Sequence, residues 1–111
     1  SSYELKATIS PSTLSPLSPS NIIIKCHIEK DNNGQIYQDA NPYNFSIIQT
    51  NENVAVPILN ALKTKPSGLL QGEYGKEYPV PDNTTENSIT YEFKCSYTLN
   101  NNEYTKDLSV T

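Results

Sequence analysis

Three side chains in this sequence could do chemistry beyond packing: the thiols of Cys26 and Cys95 and the imidazole of His27, the only residues of their types. A nucleophilic thiolate needs a basic partner, and a zinc site needs several ligands at short spacing. No CxxC pair, no second histidine and no G-x-S-x-G elbow accompanies them. Their settings also separate them. Ile22, Ile24, Cys26 and Ile28 alternate with Lys25, His27 and Glu29, so a strand here turns the thiol inward and the imidazole outward. Cys95 shares a face with Ile89, Tyr91, Phe93, Tyr97 and Leu99. Two inward thiols on distant strands are the arrangement of a disulfide between two sheets. Such a bridge closes a loop of about 70 residues and contributes roughly 4 kcal/mol. If reduced, the pair is two small buried hydrophobes. Neither reading is catalytic or metal-binding.

The remaining polar chemistry is dispersed. Carboxylates are scattered along the chain, and Lys30–Gly34 (KDNNG) has the opening of a calcium loop without its later bidentate acid, so it reads as a turn. Asp82, Asn83 and Glu86 could line a loop-end cation site only weakly, and no metal or cofactor is expected. Asn44-Phe45-Ser46 and Asn83-Thr84-Thr85 match the N-glycosylation sequon, and the turn position of Asn83 suits a glycan better than the strand position of Asn44. Tyr74, between Gly72 and Gly75, and Tyr37 lie in irregular stretches where an exposed ring could stack on a sugar or anchor a protein contact. Tyr3, Tyr43, Tyr91, Tyr97 and Tyr104 fall on core faces instead.

Composition narrows the partner class. The net charge of the 111 residues is −4, and all eight basic residues are lysine. Nucleic-acid recognition draws on basic patches and arginine forks, so it is disfavoured, as is an anionic membrane surface. No apolar run approaches spanning length. The apolar fraction is only 35%, with eight prolines, yet several segments keep one-sided alternation that a disordered chain would not sustain.

Those segments are the frame. Alternation predicts strands over 3–9, 21–29, 43–49, 54–56, around 78–80, 88–99 and 103–111, separated by Ser-Pro pairs and Asn/Asp/Gly turns. Residues 57–65 fit a single helical turn or an irregular strand equally well. Seven or eight short antiparallel strands with almost no helix make an all-β sandwich, in one domain spanning 1–111 that reads as a piece excised from a larger protein.

With cysteines on the second and penultimate strands and the closing stretch SITYEFKCSYTLNNNEYTKDLSVT, the chain resembles immunoglobulin-like domains, in particular bacterial and bacteriophage surface modules. The opening LKATISPSTL is similar to the first strand of such modules. The absence of tryptophan and the presence of Phe93 two residues before Cys95 separate it from antibody-type domains. The resemblance implies a Greek-key sandwich with an inter-sheet disulfide. It further implies a non-enzymatic module of an extracellular, cell-surface or virion-surface protein that acts in adhesion, protein binding or spacing. The partner would then be another protein or neighbouring domains of the same chain. A carbohydrate-binding sandwich is the alternative.

Overall fold

A computed structural model describes residues 2–14, 20–51, 54–59, 68–80 and 87–111. Two antiparallel sheets contain seven strands among these residues: β1 (Tyr3–Ser10), β2 (Ser20–Lys30), β3 (Phe45–Asn51), β4 (Val54–Leu59), β5 (Tyr74–Val80), β6 (Tyr91–Leu99) and β7 (Asn102–Val110). One sheet has the order β1-β2-β5 and the other β4-β3-β6-β7. The chain is thus all-β, with two sheets enclosing one core.

Alternation decides which side chains meet there. Ile22, Ile24, Cys26 and Ile28 of β2 face Phe45 and Ile47 of β3 and Phe93, Cys95 and Tyr97 of β6, all but free of solvent. Burying each large apolar side chain contributes about 1.5–3 kcal/mol, so these few residues dominate the stability of the sandwich. The Phe45 ring lies 4.6 Å from Tyr97 and 5.2 Å from Tyr74, tilted in both pairs. Lower in the core, the Tyr78 ring stands edge-on to Phe93 at 5.5 Å. Its hydroxyl donates to Gln49 Oε1 at 2.9 Å, joining β5 of one sheet to β3 of the other. Gln49 is 8% exposed, so this bond satisfies an amide oxygen that burial would otherwise penalise.

The sheet edges are closed in different ways. β1 packs beside β7, and past the cis Ser10–Pro11 bond Leu14 N donates to Thr111 O at 3.0 Å. β4 carries Pro57 opposite Ile48 and shifts register between Ile47 and Ile48, a proline and a bulge of the kind that make an edge a poor template for another strand.

The expected disulfide is not formed. Cys26 and Cys95 do face each other between the sheets, but as free thiols in a hydrogen bond. That bond and burial push the Cys26 thiol far above its ordinary range. Alternation fixes only that both sulfurs point inward, and that placement is common to a bridge and to two small buried thiols. Three local expectations also change. β6 begins at Tyr91, leaving Ile89 39% exposed. Residues 42–44 form a single 3-10 turn ahead of β3, initiated by Pro42, so Tyr43 lies outside the strand and is 63% exposed. Val54–Leu59 is strand throughout, and residues 60–67 lie outside the described residues.

Candidate functional site

Strand direction gathers three connections at one end of the sandwich. β2 arrives there at Lys30 and β3 leaves at Phe45, so residues 31–44 bridge the two sheets. The turn at 70–73 feeds β5, and Asn100 and Asn101 join β6 to β7. Every described residue with a left-handed backbone lies at this end: Asp31, Asn32, Gly34, Gly68, Gly72, Asn100 and Asn101. Asparagine, aspartate and glycine are the residues that accept this conformation most readily. The composition of the apex thus follows from the tightness of its turns.

Tyrosines support these loops from beneath. Tyr3 opens β1 opposite Lys30, with its ring 5.7 Å from Tyr104 of β7 and 6.3 Å from Tyr37. The Lys30 ammonium stands 5.2 Å from the Tyr37 ring centre and 6.0 Å from that of Tyr3, a cation–π pairing worth about 0.5–1 kcal/mol. Backbone bonds fix the rest. Asp31 N donates to Ser2 O at 2.7 Å, Tyr37 N donates to Ile28 O at 2.8 Å, and Ile36 bridges to Glu29. Asn33 Oδ1 accepts from Gln35 N at 2.9 Å, and Asn41 Oδ1 accepts from Tyr43 N at 3.0 Å.

The turn before β5 is tied as closely. Leu70 N donates to Glu73 Oε1 at 2.9 Å, and Glu73 N donates to Leu70 O at 3.0 Å. Gly72 takes φ +89°, and a methyl there would lie 2.6 Å from Ile36 Cγ2 and 3.0 Å from Gln38 Cα. The absence of that methyl lets the turn rest directly on residues 36–38.

The predicted site residues divide accordingly. Tyr74 is a core residue, 7% exposed against Phe45, so it offers no face to a sugar or a partner. Gly75 lets β5 lie close against β2, carrying that ring inward, and burial raises the Tyr74 hydroxyl pKa, with Tyr97 adding to the effect. Tyr37 does belong to the loop end, half-buried beneath Lys30. Asn44 closes the 3-10 turn with its N–H on Asn41 O and is half-buried, and Asn83 lies outside the described residues. His27 is on the outer face of the β1-β2-β5 sheet, its Nε2 2.8 Å from Glu29 Oε2. Asp82 and Glu86 lie outside the described residues, and among those described no three acidic, histidine or cysteine groups cluster to hold a metal.

Sequence reasoning missed Tyr43 and Leu70, 63% and 62% exposed, the two largest exposed apolar groups at the loop end. The signal for Tyr43 was the Asn41-Pro42 break immediately before it. The apex also carries Asp31, Asp39 and the amides of Asn32, Asn33, Gln35, Gln38, Asn100 and Asn101. Exposed tyrosine among asparagine, glycine and acids is a composition that serves recognition, because a tyrosine gives wide contact for few ordered torsions. At the opposite end, an open dip of about 340 Å³ between Thr50, Glu92, Asp107 and Ser109 offers two carboxylates and no exposed ring. No family model matches the chain, and no curated protein matches it closely enough to count as a relative. No helix among the described residues is long and apolar enough to cross a membrane.

Proposed function

We propose that this chain is an immunoglobulin-like module of an extracellular or virion-surface protein and that it binds another protein through its loop end, without catalysing a reaction. The observation that carries the reading is the gathering of exposed Tyr43 and Leu70, the amide side chains and all the described left-handed turns at one end of a two-sheet frame. The pairing of β1-β2-β5 with β4-β3-β6-β7, with the cysteines on the second and sixth strands, supports the immunoglobulin-like part. Rigid strands beneath hydrogen-bonded loops lower the ordering cost of binding, which is the advantage such a module brings to adhesion.

Beads coated with the domain, tested on the surfaces of source or host cells, examine the proposal. Adhesion should be lost after protease treatment of the cells, survive glycosidase treatment, and fall at least tenfold in Tyr43→Ser/Leu70→Ser, a loss of about 1.4 kcal/mol or more. Adhesion abolished by glycosidase alone transfers the reading to carbohydrate binding. Undiminished adhesion by the double variant removes the loop end from the function.

A further inference from the structure

The loop between β2 and β3 contains the chain's single Asn-Gly pair, Asn33-Gly34, with both residues exposed. Gly34 takes φ +69°, and apart from its two chain neighbours no residue comes within 4 Å of where its Cβ would be, so the turn is open on that side. The Asn33 side chain is not extended into solvent: its Oδ1 accepts the Gln35 N–H at 2.9 Å, folding the carboxamide back over the intervening Gly34 peptide. An electrophilic carbon is thereby held beside a backbone nitrogen, and its carbonyl oxygen already has a donor where negative charge would develop.

We infer that Asn33 is a site of spontaneous covalent modification, built by this turn. The Gly34 nitrogen, giving up its proton to water or hydroxide, attacks Asn33 Cγ. The oxyanion of the tetrahedral intermediate is stabilised by the Gln35 N–H. Collapse breaks the Cγ–Nδ2 bond, the nitrogen takes up a proton and leaves as ammonia, and a five-membered succinimide remains. Water then opens the ring at either carbonyl, giving aspartate or isoaspartate at position 33. No atom changes oxidation state, and water is the only co-reactant.

Asn41 supplies an internal comparison. It makes the same side-chain bond, accepting from Tyr43 N at 3.0 Å, but it is followed by Pro42, which has no N–H to give up. Asn41 has the turn without the nucleophile and should keep its amide. The product at position 33 places a carboxylate beside Asp31 at an apex that already carries Asp39. The isoaspartate form also lengthens the backbone by one methylene. The inference concerns the loop's own covalent chemistry and holds whether or not the loop end binds a partner.

The test is peptide mapping with fragmentation that separates aspartate from isoaspartate, on the folded full chain incubated at neutral and mildly alkaline pH. Position 33 should convert before Asn87, Asn100, Asn101 and Asn102, faster at the higher pH, and faster than in a synthetic peptide spanning residues 28–38. Gly34→Val should slow conversion and Asn33→Gln should abolish it. Gln35→Pro, which removes the donor, should be about tenfold slower, the worth of one neutral hydrogen bond. Gln35→Ala keeps the N–H and should match the parent rate. A thermal melt of each variant shows that the sandwich is intact. Conversion at Asn100 or Asn101 ahead of position 33, a folded chain slower than the peptide, or equal rates in Gln35→Pro and Gln35→Ala would each overturn the inference.

Discussion

Replacing Tyr78 with phenylalanine removes one oxygen and leaves the ring, its edge-on contact with Phe93 and the backbone pairing of β5 in place. What it deletes is the 2.9 Å bond to Gln49 Oε1, an amide 8% exposed between the sheets. A buried acceptor left without its donor costs about 1–3 kcal/mol, more than the bond itself contributes. At roughly 4 °C per kcal/mol for a domain of about 100 residues, Tyr78→Phe should melt ~4–12 °C below the parent. Gln49→Met keeps the volume and removes the amide. Half-buried Tyr78 can then turn its hydroxyl toward water, so that variant should lose only about 1 kcal/mol. The double variant strands no polar group and should be within ~1 kcal/mol of the parent, giving a coupling of at least about 1 kcal/mol in the cycle. Thermal and urea unfolding of the four proteins measures it. A Tyr78→Phe melt indistinguishable from the parent, or single losses that simply add in the double variant, would refute the assignment of this bond as the partner of the amide oxygen.

Other consequences are as direct. With Cys26 and Cys95 free and buried, a thiol reagent should find none in the folded protein and two after unfolding without reductant, and fewer than two would show an oxidised pair. Because the Cys26 pKa is raised by its bond to Cys95 and by burial, the unfolded chain releases this proton first. Its contribution is therefore full below the unfolded thiol pKa of about 8.5 and is lost as pH rises above it, at about 1.4 kcal/mol per unit. Urea unfolding from pH 7 to 10 should show this decline, and Cys26→Val should flatten it. A methyl on Gly75 would overlap the Ile24 carbonyl oxygen, so Gly75→Ala should destabilise by about 1–3 kcal/mol in the same assay. Gly72→Ala, strained at φ +89° and crowded by Ile36, should cost more than about 1 kcal/mol and increase amide exchange at Leu70 and Glu73.

The frame was legible wherever one physical rule governed a whole segment. β1, β2 and β6 alternate without interruption, β7 does so except at Lys106, and that pattern placed Cys26 and Cys95 on facing inner surfaces. It could not settle whether the sulfurs are bonded, because inward placement is common to a bridge and to a thiol pair. Tyr74 misled because flanking glycines suggest a loose stretch, whereas Gly75 lets the strand approach β2 and carries the ring inward. Tyr43 misled in the other direction, since alternation counted back from Phe45 runs through a 3-10 turn. The loop end was hidden for a different reason. Tyr3, Lys30, Tyr37, Tyr43, Leu70 and Tyr104 are distant in sequence, and only the direction of each strand brings them to one pole.

The neighbouring lie of β1 and β7 also governs how the molecule answers a pull. Both strands run away from the loop end, so Ser2 sits at one pole beside Asp31 and Thr111 at the other, past Val110. Tension applied between these two points is directed along the strands, across the hydrogen bonds that join β1 to β2 from Tyr3–Lys30 to Ser10–Ile23. Antiparallel ladder bonds are perpendicular to their strands, so such a load shears the whole row together and does not peel it one pair at a time. The domain is thereby wired to resist stretching along its long axis.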